Sequence, residues 1–242
     1  MLRYFFLVFC FLGLGSAIAD EASVRKILEA RMEGIAIQSV QKMPYIGLYE
    51  VRAGADIFYT DEEVTHIFVG NVLDGRTLEN LTEVRSRKFN AIAFDKLPLN
   101  QAIALVRGKG SRKLAYFADP LCSYCRRLDR AFQEMDDVTI YVFVYPILSP
   151  NSMTLARGVW CSANPAKAWT DFMLNGVQPK PKNNCTSAEI DRNLEIGQQH
   201  RILVTPTLVF ENGWRVEGAV PPARLDKLLN EAAQTAAKPA AP

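Results

Sequence analysis

Two cysteines separated by two residues, Cys122-Ser123-Tyr124-Cys125, stand just after an apolar run, Lys113 to Ala118, and open a segment patterned as a helix, Cys122 to Met135. That position constrains both fold and chemistry. A sulfur at a helix N-terminus meets unpaired backbone amides and the positive end of the macrodipole, and both favour an anion. Cys122 is therefore the expected nucleophile, since a lowered thiol pKa supplies thiolate for attack and makes the same sulfur a good leaving group. Cys125, one turn on and more buried, is the expected resolving thiol. Arg126 and Arg127 add positive charge nearby, although a solvated helix face accounts for them equally well.

The rest of the C-terminal half alternates between strand and helix patterns. Strand Lys113–Ala118 and the motif helix are followed by strand Thr139–Tyr145 and a helical insertion from Ser152 to about Leu174. Helix Ser187–His200, strand Thr207–Phe210, an Asn212-Gly213 turn, strand Arg215–Glu217 and helix Pro222–Ala233 complete it. A strand–helix–strand opening and a strand–strand–helix close, with helices inserted between, is the arrangement of an α/β thioredoxin fold. The catalytic domain is assigned to residues 111–233 and a disordered Ala/Pro/Lys tail to 234–242.

The N-terminal half reads differently. Val24, Ile27, Leu28 and Met32 recur at helical spacing between Ala22 and Glu33. Short β-rich runs follow around Ile35 and Ile37, Ile46 to Val51, Ile57 to Tyr59 and Val64 to Val69, and Asp74-Gly75 reads as a tight hairpin turn. This gives an α+β unit over residues 20–80, too small for a large core and stabilised by pairing with a second copy, so a homodimer through this unit is expected. Residues 81–110 read as a helical linker: alternating charge over Leu78–Ala93, then a second helical run, Leu99 to Val106, stopped by Gly108-Lys109-Gly110.

Ahead of all this, Arg3, the apolar run Tyr4 to Leu14 and the small-residue site Ala17-Ile18-Ala19 form the pattern of a cleaved signal peptide, residues 1–19. The run is shorter than the roughly 20 residues of a spanning helix. Cleavage removes Cys10 and leaves four cysteines in an oxidising compartment. With 28 basic and 26 acidic residues, nothing supplies the concentrated basic face that nucleic acid requires.

Four cysteines allow three pairings. The simplest joins Cys161 to Cys185 as a structural bridge, with a second redox pair as the alternative. Cys122 and Cys125 as half a zinc site would need two more ligands, but His66 and His200 are isolated and Cys161 and Cys185 form no second close pair. No metal or cofactor is expected. Thr205-Pro206 precedes an apolar strand, where proline is allowed in any case; a cis bond there would sit beside the two cysteines and leave the Thr205 backbone to pair with an extended substrate.

Taken together, the signal peptide, small N-terminal domain, linker, Phe117-Ala118-Asp119-Pro120-Leu121-Cys122-Ser123-Tyr124-Cys125, the later cysteine pair and Thr205-Pro206 resemble the DsbC/DsbG family of periplasmic thiol:disulfide interchange proteins. The resemblance implies a V-shaped homodimer whose catalytic domains face an uncharged cleft holding misfolded exported proteins, and a membrane reductase, DsbD, that keeps the cysteines reduced. It further implies that Cys122 attacks a wrong disulfide, that Cys125 rescues the mixed disulfide, that Ser123, Tyr124, Thr205 and Pro206 shape the substrate groove, and that Cys161–Cys185 is the structural bridge. Ser123 stands where the family commonly has glycine, which leaves the balance of isomerase, reductase and oxidase behaviour open. Asp119 reads as a cap for the motif helix. The rival functions are a DsbG-like reductase and a periplasmic holdase chaperone that works without its cysteines.

Overall fold

The computed structural model describes residues 16–182 and 184–236. Most of the expected signal peptide, with Cys10, and residues 237–242 lie outside the described residues. No helix among the described residues is long and apolar enough to cross a membrane. The chain divides into two compact units, with the division between Phe89 and Asn90.

In the first unit α1 (Ser16–Arg31) packs on an antiparallel sheet of β1 (Ile37–Lys42), β2 (Tyr49–Ala53), β3 (Asp56–Thr60) and β4 (Ile67–Phe68), in that order. The core is small: Val24 and Leu28 of the helix close over Ile37, Val40, Tyr49, Val51, Phe58 and Val64. The turn at Asp74-Gly75 is wider than the tight hairpin expected. The bridge that closes it joins Leu73 to Asn80, and the Asp74 carboxylate accepts the Arg76 and Thr77 amides at 2.8 and 3.1 Å. Helix α2 (Leu81–Phe89) is not a free connector. Its Thr82 hydroxyl pairs with Tyr59, and its Arg85 guanidinium donates to the buried Glu50 carboxylate at 2.6 Å, so one face of α2 is fastened to the sheet.

The second unit is built on a five-stranded sheet ordered β5 (Ile103–Arg107), β7 (Val138–Val144), β6 (Arg112–Ala118), β8 (Thr207–Phe210), β9 (Arg215–Glu217). Only β6 and β7 run parallel, joined by α3 (Ser123–Gln133). Residues of β6 alternate between two cores, as the period of a strand requires. Leu114, Tyr116 and Ala118 face a layer of α3, α4 (Pro150–Trp160), α5 (Pro165–Asn175) and α7 (Pro222–Ala236). Ala115 and Phe117 face Ile196 of α6 (Ala188–Gln199) together with Ile92, Phe94 and Leu97. Both faces are covered, which is why β6 is a continuous apolar run.

Two expectations are corrected here. The helix read over Leu99–Val106 is a short 3-10 turn, Leu99–Gln101, followed by the edge strand β5. Ile103 and Leu105 are buried between exposed Ala104 and Val106, a period of two that a short apolar run does not distinguish from a helix by composition. Gly108 and Gly110, with φ of 56° and 68°, turn the chain from β5 into β6 rather than stop a helix. A Cβ on Gly108 would lie 2.8 Å from the Asp137 amide. The tail expected to be disordered from Gln234 instead continues α7 to Ala236, where the Thr235 hydroxyl donates to the Glu231 carbonyl at 2.9 Å and accepts from the Asn212 amide at 2.7 Å.

Cys161, at the end of α4, is bonded to Cys185, just before α6, across a sequence separation of 24. Removing both sulfurs (Cys161→Ala with Cys185→Ala) is expected to lower the stability of this unit by about 3.5 kcal/mol through the freed loop of the unfolded chain. Urea unfolding followed by tryptophan fluorescence measures this, and the folded variant is expected to keep its thiol exchange rate; loss of exchange in that variant would give the bridge a redox role.

Candidate active site

Strand β6 ends at Ala118, and the chain turns through Asp119 and Pro120 into α3, whose N-cap is Cys122 itself. The cap assigned to Asp119 therefore belongs to the sulfur. The Asp119 carboxylate, fully buried, accepts the Leu121 amide at 2.7 Å and the Leu148 amide at 2.9 Å, and so ties the turn before the motif to the loop after β7.

Cys122 and Cys125 are both reduced and both buried, and their environments drive them apart. The Cys122 sulfur accepts the Cys125 backbone N–H at 3.2 Å and, as a thiol, donates to the Thr205 carbonyl at 3.3 Å. Donation from the Cys125 thiol is the largest influence on it, and the Thr205 hydroxyl and the Cys125 and Tyr124 amides act in the same direction against the effect of burial, so its pKa is lowered to about 6. Burial pushes the Cys125 thiol strongly the other way, and the neighbouring Cys122 sulfur adds to it. One sulfur is an anion at neutral pH and the other holds its proton.

Alkylation of the reduced protein by iodoacetamide is accordingly expected to be half-maximal near pH 6 and level by about pH 8, because the thiolate is the reacting form. A midpoint near the ordinary thiol value of about 8.5 would contradict this environment for Cys122.

The other expected site residues fall around the sulfur. Ser123 and Tyr124 are exposed on the first turn of α3. The Thr205-Pro206 bond is cis, and it places the Thr205 carbonyl at Cys122 while the Pro206 carbonyl accepts the Gly218 amide at 2.8 Å. An open cleft of about 470 Å³ runs between α3 and the loop before α7, lined among others by Tyr124, Arg127, Leu128, Thr205, Val220 and Pro221. Arg126 and Arg127 lie over the rings of Phe172 and Tyr124, at 5.7 and 5.3 Å, and the groups acting on the sulfur are amides, a thiol and a hydroxyl. Cys161 and Cys185, joined to each other, are not available to complete a zinc site with the motif.

Sequence reasoning missed a buried polar group beneath the motif. Asp129, one helical turn after Cys125, is 2% exposed; its Oδ1 accepts the Trp169 indole N–H at 2.8 Å and its Oδ2 the Tyr116 hydroxyl at 2.9 Å. The signal was present: Cys125, Leu128, Asp129 and Phe132 lie on one face of an amphipathic helix, and an acidic residue in an apolar stripe needs a partner.

A mixed sheet carrying a reduced cysteine pair at a helix N-terminus, opposite a cis-proline loop, defines a thioredoxin-fold enzyme of thiol–disulfide exchange. Residues 99–233 match the family model of a thioredoxin-like domain, and residues 15–83 that of the disulfide bond isomerase protein N-terminal domain. A probable thiol:disulfide interchange protein DsbC of Bordetella pertussis is 42% identical over 207 residues, 86% of this chain and 73% of that protein. The DsbC of Dickeya dadantii is 24% identical over 223 residues, 89% of each chain. A solved structure of a disulfide interchange protein from Neisseria gonorrhoeae, 38% identical, covers 57% of this chain and 99% of that one with a TM-score of 0.54. The chain belongs to the DsbC family of thiol:disulfide interchange proteins.

Proposed function

We propose that this chain is a periplasmic disulfide isomerase, which rearranges non-native disulfides in exported proteins and acts as a homodimer joined through its N-terminal unit. The Cys122 thiolate attacks a substrate disulfide, forming a mixed disulfide and releasing one substrate thiolate. A second substrate thiol then displaces Cys122 and completes a rearrangement, or Cys125 displaces the substrate and leaves it reduced. The proposal takes Cys122 and Cys125 as the exchanging pair, Ser123, Tyr124, Thr205 and Pro206 as the walls of the substrate groove, and Cys161–Cys185 as structural. A membrane reductase of the DsbD kind keeps the pair reduced.

The observation that carries this reading is the joining of a reduced exchange site to a unit that resembles the isomerase N-terminal domain. That unit has a small core and exposes Ile67 and Phe68 of its edge strand and Val69 just after it, an apolar strip that a second copy would cover. Apolar side chains are also exposed around the site: Tyr124 on the first turn of α3, and Leu121, Ile147, Leu148, Leu203 and Val204 on the three neighbouring loops, which favours unfolded segments over folded surfaces.

The test is to add reduced protein, shown to be dimeric by sedimentation, to a scrambled multi-disulfide substrate without oxidant, and to follow native activity beside a Cys122→Ser control. Recovery that depends on Cys122 is expected. A dimer that exchanges with a small disulfide and yet restores no activity is a dedicated reductase. Suppression of aggregation that survives Cys122→Ser without any recovery would mark a holdase.

A further inference from the structure

The loop that leads from α6 to Pro206 has little side-chain packing of its own. Between buried Ile202 and buried Pro206, the side chains of Leu203 and Val204 are 79% and 43% exposed, yet this stretch sets the Thr205 carbonyl against Cys122. Its support comes through its own carbonyls.

Helix α6 ends in a reversal. Arg201, with φ of 51°, takes the left-handed conformation that a side chain disfavours, and the Ile202 and Arg201 amides return to the Gly197 and Gln198 carbonyls at 2.8 and 3.0 Å. The carbonyls that follow meet donors from other elements. The Arg215 guanidinium of β9, on a side chain only 6% exposed, donates to the His200 carbonyl at 2.8 Å and to the Arg201 carbonyl at 2.7 Å. The Tyr145 hydroxyl, just after β7, donates to the Ile202 carbonyl at 2.9 Å, and the Thr207 hydroxyl of β8 to the Val204 carbonyl at 2.8 Å.

Both Arg215 and Tyr145 tie the loop to the sheet that carries the cysteine motif. Arg215 pairs across the hairpin with Val209 of β8. Tyr145 is buried, its amide donates to the Ala118 carbonyl at the end of β6 at 2.8 Å, and its ring lies against Gly197, where a Cβ would overlap it. A cation beside the last carbonyls of a helix is favourable, and the flat guanidinium fork reaches two of them where an ammonium would be a single point of charge. His200 does not supply that charge, because burial and the nearby Arg215 lower its pKa. A guanidinium serving stability alone needs no particular loop. Both carbonyls held here lie in the segment leading to Thr205.

We propose that Arg215 and Tyr145 are positioning residues for substrate: by holding the carbonyls of residues 200 to 202 they fix the loop so that the Thr205 backbone is ready to pair with an extended peptide before one arrives. Ordering the loop in advance removes that cost from binding, which helps a substrate with a backbone to pair and does nothing for a small disulfide. Neither residue touches the reacting sulfurs. The inference rests on the reading of Thr205 as part of the substrate groove, but not on the choice between isomerase and reductase.

The experiment compares two disulfides with the same leaving group, thionitrobenzoate; one carries a short apolar peptide through its cysteine and the other carries mercaptoethanol. The Cys122 thiolate bonds to the carrier sulfur, and the broken bond leaves its electron pair on thionitrobenzoate, whose absorbance reports both reactions. Cys122→Ser gives the background. The wild type is expected to react at least about tenfold faster with the peptide, on the scale of one or two backbone hydrogen bonds. Arg215→Met and Tyr145→Phe are each expected to cut the peptide rate at least about fivefold by raising the half-saturating concentration, while the limiting rate and the mercaptoethanol rate change by less than about twofold. Glu217→Gln removes only the carboxylate partner of Arg215 and is expected to leave both rates in place. If Arg215→Met does not fold, Tyr145→Phe carries the test, because it keeps the ring and loses only the hydroxyl. Peptide rates within about twofold of wild type in the folded variants would overturn the proposal, as would equal losses with both disulfides. A loss in Glu217→Gln as large as in Arg215→Met would assign the effect to the ion pair and overturn it too. A wild type without preference for the peptide would remove the groove reading and this proposal with it, whereas no Cys122-dependent release from either disulfide would refute the exchange site itself.

Discussion

Cys122→Ser is expected to lower the rate of exchange with a small disulfide at pH 7 by a factor on the order of a thousand or more, leaving the fold intact. A thiol with a pKa of about 6 is mostly ionised at that pH, whereas a serine hydroxyl is not, and the thiolate is the attacking form. Cys125 does not substitute for it. It is fully buried, its proton is held by burial and by the neighbouring sulfur, and it caps no helix. Reduction of the small disulfide followed by absorbance measures the rate. A variant that keeps more than about a tenth of the wild-type rate would mean that another thiolate carries the exchange.

The second large effect concerns stability and pH. Asp129 has a pKa of about 7 in the folded chain against about 3.8 for an ordinary aspartate, so the folded state binds this proton more tightly than the unfolded state. The sign follows: as pH rises from about 4 through 7, the unfolded chain releases the proton first and the folded unit loses stability; below about pH 4 the difference is constant. The full loss is on the order of 4 kcal/mol. The carboxamide of an Asp129→Asn variant cannot ionise, and it still offers an acceptor to Trp169 and a donor to Tyr116. The variant is therefore expected to lack this loss, to keep only the gain that the lowered Cys122 pKa gives the reduced protein above about pH 6, and to exceed the reduced wild type in stability at pH 8. Urea unfolding at pH 5 and pH 8 by tryptophan fluorescence tests this, because Trp160, Trp169 and Trp214 all lie in the second unit. Parallel profiles for the two proteins would place the Asp129 pKa near its ordinary value.

How much of this was readable from the chain depends on how local the signal is. The elements around the motif are set by short-range patterns: a continuous apolar strand, then an amphipathic helix whose first residue is a cysteine, then a second apolar strand. The structure places β6, α3 and β7 within a residue or two of those limits. Strand β8 and its hairpin partner β9 follow from the β-rich Thr207–Phe210 run and the Asn212-Gly213 turn.

The misreadings come from tertiary context. Ile103 to Val106 satisfies both a helix and a strand template over so short a stretch, and only pairing with β7 decides it. The stretch Gln234-Thr235-Ala236 is compatible with either a frayed tail or a last helical turn, and the contact of Thr235 with Asn212 in the β8–β9 turn favours the helical turn. The α2 charges looked like a solvated face because Glu50, the partner of Arg85, lies 35 residues away. For the candidate site, the cysteine pair and the proline loop were visible as motifs. Asp129 was not, because its meaning depends on Tyr116 from a strand and Trp169 from a distant helix converging on one carboxylate.

The most direct test of Cys122 as the attacking sulfur is a trap. Cys125→Ser, mixed in reduced form with a protein substrate of known disulfides and quenched in acid, is digested without reductant and mapped by mass. The expected result is a substrate peptide disulfide-bonded to the Cys122 peptide, with Cys161 still bonded to Cys185. Adducts on Cys161 or Cys185, or none on Cys122 while the substrate is still reduced, would contradict it.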